Sequence, residues 1–154
     1  MVEFEFLSPT DKPALLALSS PELQNVAMLT LSELGYKVHS VEAQDQFVSR
    51  FVQVQYQVVI IEEAFACPSI AENGALGSLQ VMAMSNRRHS VIILIGPSFQ
   101  SLNTMQAFQQ SVHAVVNPTE ITSLGQIIQK TVADNDLFLN AYRETMLRMA
   151  QGKV

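Results

Sequence analysis

The stretch Val58-Val59-Ile60-Ile61-Glu62-Glu63 contains four consecutive β-branched residues followed by two acids. A half-exposed strand alternates apolar and polar residues, whereas an unbroken apolar run is typical of a strand buried on both faces. Such strands occur in parallel sheets that helices cover on both sides. Because open α/β folds bind ligands at the carboxyl ends of their strands, we expect Glu62 at the edge where chemistry would take place.

The chain on either side of this stretch repeats a short apolar strand followed by a helix. Apolar runs predict strands at residues 14–18, 36–41, 57–62, 90–95 and 114–116. Helical spacing predicts helices at about 21–34, 43–54, 70–84 and 102–111, and from residue 119 onward. Met105 and Phe108 are expected to face inward from the helix at 102–111. The pattern predicts a three-layer α/β domain of the flavodoxin-like kind: a five-stranded parallel sheet of order 2-1-3-4-5 with helices on both faces.

The turn after the first strand carries two serines, Ser19 and Ser20, directly before Pro21. Either serine can cap the helix that follows, and proline is tolerated in a first helical turn. Helix amino termini also attract anions, but no glycine precedes Gly35, so the glycine-rich loop of nucleotide and flavin sites is missing. We therefore expect helix capping here and no cofactor.

Three segments are predicted along the chain. Residues 1–13 are expected to be a lead-in or linker, residues 14–133 the domain, and residues 134–154 a helical extension. The polar triplet 134–136 could interrupt the last helix, so one long helix and two helices both remain open. The extension carries Phe138, Tyr142 and Met146, and such an amphipathic segment either packs back on the domain or pairs with another chain.

Composition limits the classes of function. A chain of 154 residues with 48% hydrophobic and 15% charged residues corresponds to one compact domain. A net charge of -5 argues against sequence-independent binding of nucleic acid. The only cysteine, Cys67, rules out an internal disulfide and fits a reducing compartment. No apolar run approaches about 20 residues and the amino terminus is acidic, so we expect a cytoplasmic protein without a membrane span.

Other chemistry-bearing residues are few. Cys67 could form a nucleophilic pair with His89 or His113, but a lone cysteine is more often a small buried apolar residue. The three histidines, which include His39, lack the spacing of a zinc site. No metal is therefore expected.

Over about residues 13–133 the chain resembles the response-regulator receiver domain. The resemblance lies in the order of elements, in the lengths between strands, and in Pro118 directly after the fifth strand. It implies transfer of a phosphoryl group from a histidine kinase to an aspartate at the end of the third strand. In that family an acidic pair after the first strand holds Mg²⁺, a lysine follows the fifth strand, and a serine or threonine follows the fourth.

The residues at these positions depart from the family pattern. They are Ser19 and Ser20 for the acidic pair, Glu62 for the aspartate, Ile95 (or Gly96 if the register slips by one) for the hydroxyl residue, Asn117 for the lysine, and Ala114 for the aromatic residue of the fifth strand. We therefore expect a degenerate receiver, or pseudo-receiver, that is not an enzyme and does not accept phosphate. Glu62 is either a fixed mimic of the phosphorylated aspartate or a solvated residue at the sheet edge.

The resemblance favours a signalling module that binds a protein partner or a second copy of itself as a homodimer. The expected surface comprises the helix at 102–111, the fifth strand and the last helix, with the candidate contacts Phe99, Phe108, Phe138, Tyr142 and Met146. One alternative is an atypical phosphoacceptor or a sensor of a small ligand. Another is a flavodoxin-like enzyme with a bound cofactor.

Overall fold

Five parallel strands form one sheet in the order β2-β1-β3-β4-β5 in the computed structural model, which describes residues 10–152. The strands are β1 (Lys12–Ala17), β2 (Tyr36–Ser40), β3 (Val58–Glu62), β4 (Val91–Ile95) and β5 (Ala114–Val116). All four strand pairings are parallel. The predicted fold class and strand order are confirmed.

The helices are α1 (Pro21–Glu33), α2 (Gln44–Gln53), α3 (Gly74–Val81), α4 (Met84–Arg87), α5 (Thr104–Gln110) and α6 (Leu124–Ala150). Short 3₁₀ turns cover Ile70–Glu72 and Pro118–Ser123. The single helix predicted at 70–84 is wrong, because two residues divide it. Asn73 caps α3 by accepting the Leu76 N–H at 3.1 Å, and Met82 has extended backbone angles that end α3. No helix within residues 10–152 is long and apolar enough to cross a membrane.

The core lies in two layers, one on each face of the sheet. Val59 and Ile61 of β3 join the layer under α2 and α3, whereas Val58 and Ile60 join the layer under α1 and α6. All four side chains are completely buried. The unbroken apolar run thus has the double burial expected from the sequence.

Helix α5 faces the core with a different residue from those predicted. Met105 is 63% exposed and Phe108 is 80% exposed, while Ala107 is buried. Because successive residues of an α-helix are about 100° apart, burying Ala107 turns both larger side chains away from the sheet. The prediction that Met105 and Phe108 point inward is therefore wrong.

The two ends of the chain depart differently from the predicted segments. Residues 1–9 of the predicted lead-in lie outside the described residues, and β1 already begins at Lys12. At the other end α6 is one helix of 27 residues that runs through the polar triplet 134–136. Lys130 and Asp134 form an ion pair of 2.8 Å on this helix, and Asn135 is 8% exposed. Of the two alternatives for the last helix, the structure has the single long one.

Candidate functional site

The residues at the predicted site positions lie at one edge of the sheet, which we call the carboxyl rim. Ala17 pairs with Ile61, Glu62 with Ile95, and Ile95 with Val116. In a parallel sheet this register brings the loops that follow β1, β3, β4 and β5 to the same edge. The fold therefore brings the predicted residues of these loops to a common rim.

Glu62 joins the end of β3 to the start of α1. Its Oε1 atom accepts the backbone N–H groups of Ser19 and Ser20, both at 2.9 Å. A carboxylate is favoured at this end of a helix because the unpaired N–H groups give it a partial positive charge. Glu62 is half-buried and hydrogen-bonded within the chain, so it is more than a solvated residue.

The two serines are held by internal hydrogen bonds as well. Ser20 is the cap of α1, and its hydroxyl oxygen lies 3.5 Å from the Leu23 nitrogen. The Ser19 hydroxyl oxygen accepts the Ala66 N–H at 2.8 Å, which ties the loop after β1 to the loop after β3. Ser20 therefore caps the helix, and Ser19 connects loops.

Glu63 makes the second carboxylate bridge of the rim, and sequence reasoning missed it. Its Oε2 accepts the Ser98 hydroxyl at 2.7 Å and its Oε1 accepts the Ser98 N–H at 3.2 Å. Its backbone N–H also donates to the Ile95 carbonyl at 2.7 Å. The signal in the sequence was Gly96, because the Glu63 side chain occupies the space where a Cβ atom of residue 96 would lie.

Ile95 and Asn117 occupy two further predicted positions. Ile95 is completely buried, so its side chain belongs to the core. The Asn117 side chain donates to the Phe99 carbonyl at 2.8 Å and accepts the Thr119 N–H at 3.0 Å. Asn117 thus holds the loop after β4 and caps the 3₁₀ turn that follows β5.

Asn73 also belongs to the rim, although no sequence pattern pointed to it as a site residue. It is 4% exposed, and its side-chain amide donates to the carbonyl of Glu62 at 2.9 Å and of Glu63 at 3.2 Å. Its oxygen caps α3. An asparagine directly before Gly74 was the available signal, since asparagine is a preferred helix cap.

The rim as a whole is a set of neutral and acidic groups that bond to each other. No three His, Cys, Asp or Glu side chains within residues 10–152 come together as a group that could hold a metal ion. Each of the two rim carboxylates instead accepts two hydrogen bonds from the loop beside it. The arrangement can fix loops in place.

The cysteine and histidines do not form a catalytic pair. Cys67 follows β3 at the carboxyl rim, whereas His89 and His113 precede β4 and β5 at the opposite edge. Cys67 is half-buried and its thiol donates to the Ser69 carbonyl. His39 is buried, with its Nδ1 atom 2.8 Å from the Tyr56 hydroxyl.

His113 connects the sheet to α6. Its Nδ1 atom accepts the Ile92 N–H at 3.0 Å, which requires an unprotonated Nδ1. Burial of the ring, together with the charge of Arg87, lowers the pKa of His113, and a hydrogen bond with Asn135 opposes this shift.

A groove lies between α4, α5 and α6 beside β5, and we call it the α5–α6 groove. Its volume is about 540 Å³. Apolar side chains form much of its wall, and the lining also includes two cations, Arg88 and Lys130. The apolar lining residues are Met84, Leu102, Ala107, Ala114 and Phe138.

The predicted interaction residues differ in exposure. Phe108 is 80% exposed, Phe138 61% and Met146 47%. Tyr142 is 36% exposed, with the Arg88 guanidinium 4.3 Å from the centre of its ring. Phe99 is only 7% exposed and packs in the core, so this candidate contact is corrected.

No protein-family model and no curated protein matches the chain. Several solved structures are similar in fold. A CheY-like response regulator receiver domain protein from Methanospirillum hungatei JF-1 has a TM-score of 0.64 and 12% identity, over 82% of this chain and 98% of that chain. A CheY-like receiver domain from Methylobacillus flagellatus has a TM-score of 0.58 and 16% identity, over 79% and 99%. HP1043, an orphan response regulator of H. pylori, has a TM-score of 0.59 and 15% identity, over 78% and 95%. With the strand order 2-1-3-4-5, these likenesses show that the chain has the CheY-like, flavodoxin-like fold of receiver domains.

Proposed function

We propose that this chain is a receiver-like signalling module that does not accept a phosphoryl group and acts by binding a protein. The observation that carries the proposal is the position of Glu62, whose carboxylate oxygen is held by the N–H groups of Ser19 and Ser20 at 2.9 Å. In this arrangement the carboxylate stabilises the fold and is turned toward α1. A phosphoacceptor carboxylate has to be free to attack the phosphorus atom of the donor, whereas Oε1 of Glu62 already accepts two hydrogen bonds.

The charge of the rim also supports the proposal. A phosphoryl group in transfer needs cations around its oxygen atoms. The residues at the corresponding positions are Ser19, Ser20 and Asn117, which are neutral, and Glu63 beside them adds negative charge. The rim would therefore repel a phosphoryl donor, and none of these four residues is a cation that could neutralise one.

Phosphoryl uptake is tested directly by incubating the protein with Mg²⁺ and acetyl phosphate and measuring its intact mass. We expect no phosphoryl adduct, and no bound fluoride signal when beryllofluoride replaces acetyl phosphate. A receiver domain with the full acidic pair, aspartate and lysine is the positive control. An adduct that disappears in Glu62→Gln would contradict the proposal and favour the atypical phosphoacceptor.

The surface that we propose for protein binding comprises the outer face of α5 and the carboxyl-terminal part of α6. Met105, Phe108, Phe138, Met146 and Met149 are between 47% and 80% exposed there. Large exposed apolar side chains on two helices that border the same groove favour an interaction surface. We propose a second copy of the chain or another protein as the partner, and residues 134–154 as the extension that takes part in it.

Self-association is tested by light scattering of the wild type and of the double variant Met146→Glu with Met149→Glu. We expect the wild type to form a dimer and the double variant to be monomeric. Val52→Glu is the matched control, because Val52 is 68% exposed on α2, away from this surface. A wild-type chain that is monomeric at all concentrations would exclude the homodimer and leave another protein as the partner.

A second candidate function, the sensing of a small ligand, is favoured by the α5–α6 groove. Its volume of about 540 Å³ lies within the range of small-molecule sites. Ala114→Phe would fill part of the groove from β5. If the groove is a ligand site, fragments that shift the amide signals of Thr104 and Thr131 in the wild type will not shift them in Ala114→Phe.

A further inference from the structure

Glu63 connects the end of β3 to the loop that follows β4. Both of its carboxylate oxygens bond to one residue, Ser98, through the hydroxyl at 2.7 Å and the N–H at 3.2 Å. Hydrogen bonds to an ionised carboxylate are about twice as strong as those between neutral groups. The carboxylate of Glu62 points instead to α1, so the two neighbouring acids hold two different loops.

Gly96 makes room for this connection. A Cβ atom at residue 96 would lie 2.5 Å from Glu63 Cβ and 2.9 Å from Glu63 Cδ, closer than real Cβ contacts. Gly96 is buried, and its N–H donates to the Val116 carbonyl at 3.0 Å. The Glu63 side chain can therefore reach Ser98 in this way only if residue 96 has no Cβ atom.

The loop held by Glu63 leads to the α5–α6 groove. Beyond Ser98, Phe99 is buried in the core and its carbonyl accepts the Asn117 side chain. Leu102 has a left-handed backbone, with φ of 63°, and its N–H donates to the Val115 carbonyl at 2.9 Å. Leu102 and the α5 cap Asn103 both line the groove.

We propose that Glu63 is a positioning residue that latches loop 96–103 to β3 and so holds one wall of the α5–α6 groove in a fixed conformation. The latch does not depend on phosphorylation, because its negative charge is the side-chain carboxylate of Glu63. Its role in partner binding rests on the proposed function, whereas its effect on the loop does not. Of the two adjacent acids, Glu63 is the one whose negative charge reaches the loop after the fourth strand, whereas Glu62 reaches the start of α1.

Hydrogen exchange of the full chain tests the latch without a partner. In Glu63→Ala we expect the amides of loop 96–103, including Leu102 and Asn103, to exchange about tenfold faster or more, because both bonds to the charged group are lost. The neighbouring Glu62→Ala is the matched control and should accelerate exchange at the start of α1 only. Unchanged exchange in loop 96–103, or a change confined to Ser98, would overturn the proposal.

Ser98→Ala tests the same latch if Glu63→Ala does not fold. It removes the hydroxyl bond and keeps the N–H bond, so exchange in the loop should rise by a smaller factor than in Glu63→Ala. A Ser98→Ala chain that exchanges like the wild type would count against the latch.

A double-mutant cycle tests the space at residue 96. Gly96→Ala should lower the melting temperature in the wild type, because the new Cβ collides with Glu63. In a Glu63→Gly background, which also removes the Glu63 Cβ atom that would lie 2.5 Å from the new one, the same change should lower it much less. Equal effects in both backgrounds would overturn the proposal. A monomeric wild type would contradict the proposed homodimer and leave both tests of the latch unaffected.

Discussion

Arg87 is a buried cation that holds the ends of two helices together. It is 5% exposed, and its guanidinium donates to the Leu79 carbonyl at 2.6 Å and to the Ser111 carbonyl. These carbonyls belong to the ends of α3 and α5, where the helix dipole is negative. Arg87→Met should lower the free energy of unfolding by roughly 2–4 kcal/mol in urea denaturation, because the carbonyls at two helix ends lose a charged donor, and the bond to Leu79 is buried. Arg148→Met, on the exposed end of α6, should change it by less than about 0.5 kcal/mol.

His113 gives the stability of the fold a pH dependence. Its pKa is lowered in the folded chain, first by burial of the ring and then by Arg87. As the pH falls through about 6.5, the ordinary pKa of histidine, His113 becomes protonated in the unfolded state but stays neutral in the folded state. The free energy of unfolding therefore decreases. Urea midpoints between pH 7.5 and about 5 should therefore fall less steeply in His113→Gln than in the wild type. Parallel slopes would show that His113 titrates alike in both states.

At the scale of the single element, two helices end in left-handed residues of different type. Ser111 ends α5 with φ of 58°, and Gly35 follows α1 with φ of 89°. Ser111→Gly should stabilise the fold by about 0.5–1 kcal/mol, because glycine adopts this conformation without strain. Gly35→Ala should destabilise it by roughly 1–2 kcal/mol through backbone strain alone, since the nearest atom to a Cβ there is Lys12 Nζ at 3.7 Å, an ordinary contact distance. Thermal denaturation of both variants checks the opposite signs.

The same element scale explains where sequence reasoning failed. Long helices have enough apolar residues to define one buried face, and strands buried on both sides are unbroken apolar runs. Both kinds of element were predicted at their observed places in the chain. Helix α5 has 7 residues, and its register depends on its caps, Asn103 and Ser111, more than on apolar spacing. The helix predicted at 70–84 divides because Asn73 bonds both to α3 and to the carbonyls of Glu62 and Glu63 at the end of the third strand. Contacts of this kind join distant parts of the chain and leave only weak local signals.

For the whole molecule, the fold could be predicted and the chemistry of the rim only in part. Positions such as Glu62 and Asn117 followed from the order of strands, since parallel strands bring their ends together. The bonds made by Glu62 and Glu63 could not be predicted, because they depend on which loop each side chain reaches. Glu62 turns to α1 and Glu63 to Ser98, although the two acids are adjacent in sequence.

The extension of α6 should be separable from the stability of the domain. Leu139 is 6% exposed, whereas every residue from 143 to 152 is exposed. A chain that ends after Arg143 should therefore unfold within about 0.5 kcal/mol of the wild type, while Leu139→Ala should lose roughly 2–4 kcal/mol. If the extension pairs with a second copy, the shortened chain will also be monomeric in light scattering while retaining its urea midpoint. A large loss of stability on shortening would mean instead that the exposed end supports its own domain, and the surface for a partner would have to lie on α5 and the groove alone.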